Sequence, residues 1–411
     1  MSLWDAITGR RRVKLSLEDP TNWNFGLDSH AGKPVTPDTT MNLSAAWACV
    51  RLRQRVTGML GMGVYERGPG GERVAARDHW LYHLVHESPN ADQTPFEFWS
   101  GQVACIDLWG NAYAYKERLG QRIVSLRPLR ADRMTVRRDH ASGARIYDYR
   151  DGKVSRPYSE DEIFHLRGLT LGGDVGLSAV TYGRHSLGIG LASDETAGKT
   201  FANGLQVSGF VEMALGVKLD AEQRNQLVDL FAKFTGSSRA GKVMPLDGGM
   251  KFTPMTMMPE DAQLLETRQF NVEEICRWFD TPPVLIGHAA EGQTMWGSGI
   301  EQIMLAWLTT GLDPLLTGIQ QATQKQLLSP AERRRYYTEF NREALLRADA
   351  KGRAEFYSKI FQVAGITPNQ IADRENLERF DGGDRRFVNS TYVPIETAGQ
   401  VRTQPAPGEP I

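Results

Sequence analysis

The sequence predicts an α+β fold. Two observations carry this: residues 42–176 read as a helix, short hairpins and a second helix without regular βαβ alternation, and two long helical stretches further on bracket a small α/β insert. A third is a hard stop at Thr281-Pro282-Pro283, followed by a glycine-punctuated loop and another long helix.

Taken in order, Asn42–Leu60 is amphipathic, with Ala46, Val50 and Leu60 facing inward. VYERGPGGERVAA forms a hairpin turned by its Gly-Pro-Gly-Gly segment. Thr94-Pro95-Phe96-Glu97 is a capping box with proline at the first helical position, and Gly110 closes that helix. A second hairpin turns about Leu119-Gly120-Gln121, and MTVRRD, RIYDYRD and EIFHLRG are further strands. Leu177–Asn203 is helical but carries Gly183, Gly188, Gly190 and Gly198, each costing about 1 kcal/mol against alanine. It is either one rod held by packing or two shorter helices.

The insert follows: FVEMALGVKL, a helix over Asp220–Phe234, the loop GSSRAGK, strand VMPL, a turn at Asp247-Gly248-Gly249 and strand MKFTPM. Glu260 and Asp261 sit at the positive end of the next helix, which runs to Phe279. Ile300–Leu328 is helical with a break at Asp313-Pro314, RYYTEFN is a strand, and Arg347–Ala364 and Thr367–Leu377 are helices.

Composition narrows the function. Hydrophobic content of 41% and charged content of 24% are those of a globular protein, and no apolar run spans a bilayer. Met1–Arg12 has no apolar core of the signal-peptide kind. Cys49, Cys105 and Cys276 read as reduced, buried thiols in an intracellular setting. Lys plus Arg is 48 against 49 Asp plus Glu. That near-neutral balance excludes tight static phosphate binding but suits a surface past which DNA slides.

The chemical motifs mostly fail. Gly236–Lys242 fits seven places of a P-loop, but Val243 stands where the Mg²⁺-holding hydroxyl belongs, and the segment leaves a helix for a strand. Gly198-Lys199-Thr200 lies inside a helical pattern. His79, His83 and His86 fall near one helix face, where a packing role outweighs a metal role because no further ligand completes a set. Asp161-Glu162 and Glu273-Glu274 read as solvated. No nucleophile elbow or zinc-protease signature occurs, so no catalytic residue, metal or cofactor is assigned.

The cassette PEDAQLLETRQFNVEEICRWFDTPPVLIG, then GQTMWGSG, then IEQIMLAWLTTGLDPLL resembles the portal proteins of tailed bacteriophages, of the lambdoid siphophage type. The ordering is specific, and similar patterns run from about Met41 to about Leu377; Asp78, Leu81, Leu84 and Pro89-Asn90 resemble a stretch common in portal wings. The resemblance implies a mixed α/β wing, a two-helix stem, a small β-α-β-β clip, a long kinked helix and a C-terminal helical crown. Its divisions are a flexible arm (1–40), wing (41–176), first stem helix (177–204), clip (205–258), second stem helix (259–281), turn and channel loop (282–299), long helix with wing return (300–342), crown (343–380) and disordered tail (381–411).

The resemblance also implies a ring, a dodecamer in the virion, at one capsid vertex. Double-stranded DNA would pass through it, and no membrane is involved. Partners would be the large terminase, the head-tail adaptor, and the major capsid and scaffold proteins. Gln293, Thr294, Met295, Trp296 and Ser298 would touch DNA without fixed charge, hinged by Gly292, Gly297 and Gly299; the loop is longer and richer in glycine than the family pattern. Arg224, Lys233, Arg239 and Lys242 of the clip would face the motor. The plain reading of the loop is a surface loop whose Trp296 packs on a neighbour. Two other classes stand beside the portal: an intracellular enzyme without a recognisable motif, and another head-tail connector protein.

Overall fold

The computed structural model describes residues 27–68, 70, 73–152, 154–202, 209–212, 220, 222, 223, 225, 226, 229, 251–254, 261–288, 298–342, 350–363, 365–375 and 377–387. They fall into two units, within Met1–Phe340 and Asn341–Ile411.

The first unit begins inside the segment expected to be a flexible arm. Strands β1 (Leu27–Asp28) and β2 (Pro34–Val35) pair, and Thr36 opens a helical turn over Pro37–Thr40 through a reciprocal capping box with Thr39. Residues 27–40 of the expected arm are therefore ordered. Gly32, at φ +70°, turns this hairpin where other residues would be strained.

Helix α1 (Ser44–Met59) buries Ala46, Cys49, Val50, Arg53, Val56 and Thr57, a three-and-four spacing that includes one charged residue. Helix α2 (Pro95–Trp109) starts at the Thr94 capping box and stops at Gly110, φ +73°. The helices meet where a side chain at Gly58 would collide with Ser100, whose Oγ donates to the Gln54 carbonyl at 3.1 Å.

Three three-stranded antiparallel sheets accompany this pair. Strand β3 (Met62–Arg67) lies between β4 (Arg73–Ala75) and β13 (Tyr336–Phe340), with Met62 opposite Phe340. Strand β5 (Asn111–Leu119) lies between β6 (Arg122–Leu129) and β10 (Ile163–Arg167). Strands β7 (Met134–Arg138), β8 (Arg145–Asp151) and β9 (Val154–Ser159) form the third. Its Tyr147 and Tyr149 pack with Tyr113, Tyr158 and Ile163. The strand pattern did not announce β9, an edge strand carrying Pro157, which is where a sheet tolerates proline.

His165 is buried on β10. One ring nitrogen pairs with Asn111 Oδ1 at 3.0 Å and the other with the Tyr147 hydroxyl at 3.3 Å, while Asn111 Oδ1 also accepts from the Gly176 N–H. Burial above all, then the Arg167 and Arg145 charges and against the pull of Asp174, holds its pKa well below the usual histidine range. The folded state thus favours neutral imidazole. Stability from this site is fully present above the unfolded value of about 6.5 and falls as pH drops below it, by up to about 1.4 kcal/mol per pH unit. Urea unfolding at pH 7 and pH 5 should show that loss, and His165→Gln should flatten it.

The glycine-rich segment resolves into a turn, Ala179–Tyr182, and a helix α3 (Arg184–Ala202), so the break falls at Gly183 alone. A Cβ at Gly183 would meet the Trp278 ring at 2.8 Å, and one at Gly188 would meet Ser29 Oγ at 2.1 Å. These glycines mark close packing, which offsets their helix penalty. Helix α3 packs beside α4 (Asp261–Trp278), where Asn271 donates to Ser193 Oγ at 3.3 Å. Ala46, Cys49, Val50, Leu108, Leu187 and Ile275 join α1 to α4 in one core.

Of the insert, β11 (Gly209–Glu212) pairs antiparallel with β12 (Lys251–Pro254). Strand VMPL lies outside the described residues, as does most of the expected 220–234 helix.

The last long helix starts earlier than expected and is interrupted one turn before its proline. It comprises α5 (Ser298–Trp307), a π turn over Leu308–Leu312 and α6 (Asp313–Leu327). Thr309 and Thr310 hydroxyls donate to the Leu305 and Ala306 carbonyls, both at 2.8 Å, the back-bonding that loosens a helix locally. Pro314 then sits at the start of α6, where a missing N–H costs least.

In the second unit, α7 (Ala350–Gln362) and α8 (Pro368–Glu375) are described. The Thr367 hydroxyl accepts from the Gln370 N–H at 3.2 Å, capping α8. Residues 381–387 of the expected tail are held in a turn: Asn369 Oδ1 accepts from Phe380 N and its N–H donates to the Gly383 carbonyl.

Candidate functional site

The site is built at the two roots of the expected channel loop. On one side α4 ends at Trp278, two residues before Asp280, whose φ of +48° is the one left-handed value among described non-glycine residues. Thr281 N donates to the Cys276 carbonyl at 3.0 Å, Pro283–Ile286 make a 3₁₀ turn, and Gly287 at φ +85° closes it. On the other side α5 leads into the π turn. The roots are clasped: Trp307 Nε1 donates to the Asp280 carbonyl at 2.9 Å. A Cβ at Gly311 would lie 2.8 Å from the Trp307 ring and 3.1 Å from the same carbonyl, so only glycine fits without movement.

Two hollows flank the clasp. One, of about 650 Å³, is walled by Leu166, Leu169, Tyr182, Trp278, Gly318 and Ile319, with Arg53 and Asp107 at its inner wall. The other, of about 510 Å³, lies between Cys276, Pro282, Pro283 and the Ile303–Thr310 face. Arg53 Nε donates to both Asp107 oxygens at 3.1 Å, while its Nη1 is buried with no hydrogen-bond partner. Burial raises the Asp107 pKa, outweighing the lowering by Arg53. Beside the pair, Cys49 and Cys276 are buried with sulfurs 3.8 Å apart; hydrogen bonding to Cys276 and burial push the Cys49 thiol up.

Of the expected loop residues, Gly292, Gln293, Thr294, Met295, Trp296 and Gly297 lie outside the described residues. Ser298 and Gly299 are the first two residues of α5, not loop and hinge, because the helix starts two residues before the expected Ile300. Glu301 in that first turn favours this start electrostatically. Arg224, Lys233, Arg239 and Lys242 also lie outside the described residues, as does the P-loop-like segment.

The three histidines go to separate partners: His79 Nε2 lies 3.7 Å from Glu332, His83 bonds Glu87 at 2.7 Å and His86 bonds the Met62 carbonyl at 3.1 Å. Among the described residues no cluster of three metal-ligating side chains forms, and no helix is long and apolar enough to cross a membrane. Of the acidic pairs, Asp161 is exposed as expected, while the other three residues are engaged. Glu162 accepts from Ser159 N and Arg156, and Glu273 and Glu274 both pair with Arg277. Lys199 pairs with Glu195 on α3.

Sequence reasoning passed over the hollow and the clasp. A signal existed: Arg53 and Asp107 stand on the apolar faces of α1 and α2, where a charge implies a buried partner. A second signal is the charge pattern, since no Lys or Arg occurs between Arg277 and Lys325.

The model of the family described as phage portal protein matches residues 44–376, from the start of α1 to just past α8. The chain belongs to the phage portal protein family. It is 30% identical over 368 residues to the portal protein of Enterobacteria phage HK97, covering 89% of this chain and 86% of that protein. In fold it is similar to an HK97-family phage portal protein from Corynebacterium diphtheriae, with TM-score 0.58 and 14% identity over 77% of this chain and 99% of the other. It is also similar to a chain from the neck of a native gene transfer agent particle, computed with C12 symmetry: TM-score 0.55, 22% identity, 86% and 98% coverage. This portal protein therefore carries the mixed α/β fold of its family, with α3 and α4 packed side by side at either end of the insert.

Proposed function

We propose that copies of this portal protein close into a ring, a dodecamer, at one capsid vertex, and that double-stranded DNA enters and leaves the capsid through its hole. The observation that carries this is the unbroken family match from 44 to 376, which runs through the paired helices and both roots of the loop. The C12 symmetry of the gene transfer agent neck supports twelve copies. In this reading α3 and α4 are the stem, the β11–β12 insert is the clip that meets the large terminase and later the head-tail adaptor, and residues 41–176 are the wing that meets capsid and scaffold. The portal adds no hydrolysis of its own; the motor supplies the energy.

The turn and channel loop expected over 282–299 is the DNA-facing element in this reading. Its flanks carry only acidic charge between Arg277 and Lys325, so phosphates find no cation to hold them and the duplex slides. Deleting Gly292–Gly299 tests the assignment. Rings should still form, while DNase-protected DNA in packaged heads falls sharply. Loss of ring assembly with that deletion would make the loop an interface element instead.

A further inference from the structure

Cys49 on α1 and Cys276 on α4 bring their sulfurs to 3.8 Å in the core, although 227 positions separate them in the chain. Buried cysteines ordinarily serve as small hydrophobes. Cys105 on α2 fits that description, its thiol pushed up to about 12 mainly by burial. The pair differs in two respects. The Cys49 thiol donates to the Cys276 sulfur, and this bond lowers the Cys276 pKa against the effect of burial. The same contact and burial raise that of Cys49. The shared proton therefore stays on Cys49, and Cys276 carries the more thiolate-like sulfur, the form that reacts.

The second difference is access. Cys276 lines the 510 Å³ hollow, together with Arg277, Thr281, Pro283 and Thr310. That space holds several molecules the size of water, so a small oxidant fits beside the sulfur. Bonding distance is about 2 Å, which leaves about 2 Å for the two sulfurs to close.

We propose that Cys49 and Cys276 form a redox latch: a hydroperoxide entering the hollow oxidises Cys276, and Cys49 then closes a disulfide that ties α1 to α4. The Cys276 thiolate attacks one peroxide oxygen. The O–O bond breaks, a sulfenic acid forms, and the departing oxyanion takes a proton from solvent. The Cys49 thiol attacks that sulfur next; the S–S bond forms, the S–O bond breaks, and hydroxyl leaves with the thiol proton as water. Two electrons pass from the sulfurs to the peroxide. The latch also anchors the turn after α4, because the Cys276 carbonyl accepts from Thr281 N. In reducing surroundings it stays open, and outside the cell it closes. It does not depend on ring assembly, since both sulfurs belong to one chain.

Peptide mass mapping tests it. Folded wild type is treated with hydrogen peroxide at neutral pH, quenched, unfolded and alkylated. Alkylatable thiols should fall from three per chain to one, at Cys105. A peptide pair joining Cys49 to Cys276 should appear, lighter by two hydrogens, and dithiothreitol should restore all three thiols. A disulfide closing so long a loop restrains the unfolded chain strongly, so the urea midpoint should rise on oxidation and return on reduction. Cys49→Ala should stop at a Cys276 sulfenic acid that dimedone traps, whereas Cys276→Ala should leave Cys49 unoxidised. Three free thiols in peroxide-treated wild type, or a disulfide that joins two chains, would overturn the latch. Dimedone trapped on Cys49 in Cys276→Ala, with none on Cys276 in Cys49→Ala, would overturn Cys276 as the point of attack.

Discussion

Asp107→Ala lowers the unfolding free energy by about 3–5 kcal/mol, because it strands the Arg53 guanidinium in the core without a counter-charge. Both side chains are over nine-tenths buried, and Nε makes the pair's two contacts while Nη1 already lacks a partner. The raised pKa of Asp107 carries the same message: burial disfavours the carboxylate more than Arg53 rewards it. The double variant Arg53→Met with Asp107→Leu should therefore recover most of the loss. Urea titrations of the three proteins, at one protein concentration so that assembly does not differ, check both outcomes. A double variant no better than Asp107→Ala would mean the pair is held by interactions other than its own charges.

Trp307→Ala has a comparable cost, about 3–5 kcal/mol for deleting a buried aromatic side chain. Trp307 is 3% exposed, stacks against Gly311 and holds the Asp280 carbonyl. Its removal leaves that carbonyl unsatisfied and unties α5 from the turn that follows α4. Trp307→Phe keeps most of the packing and should cost only about 1–3 kcal/mol, the penalty of an orphaned buried acceptor. Amide hydrogen exchange gives the local readout. Protection should fall in 281–287 and α5 while β5 and β10 stay protected. Uniform loss across the unit would show the residue acting as ordinary core.

Much of this architecture was legible because local chemistry agreed with tertiary structure. The Thr94–Glu97 capping box, Gly110 at a left-handed terminus and the Thr281-Pro282-Pro283 stop each act within a few residues, and all stand where the pattern put them. The misses involve distant partners. Residues 27–40 looked like an arm because their order depends on α3, through close approach at Gly188 and the stacking of His30 on His185. The partner of β13 lies some two hundred and seventy residues away, as its hydrogen-bonded neighbour is β3, and no periodicity encodes that pairing. The π turn escaped because proline drew the break to itself, whereas two threonine hydroxyls loosen the preceding turn.

The site divides similarly. The turn at Pro282-Pro283 could be placed from its prolines and Gly287, but the hollow beside it is assembled from α1, α2, α4, α6 and the loop after β10. The misplaced charges Arg53 and Asp107 hinted at it in one dimension. The basic residues assigned to the clip had no such internal check, since their meaning lies in a partner surface.

The measurement that bears most directly on the central claim is the native mass of the purified protein, with negative-stain images of the same sample. The portal account predicts a closed ring of about a dozen copies around a central hole, consistent with a head-to-tail contact that closes by rotation. A monomer or small symmetric oligomer persisting at high concentration would contradict it.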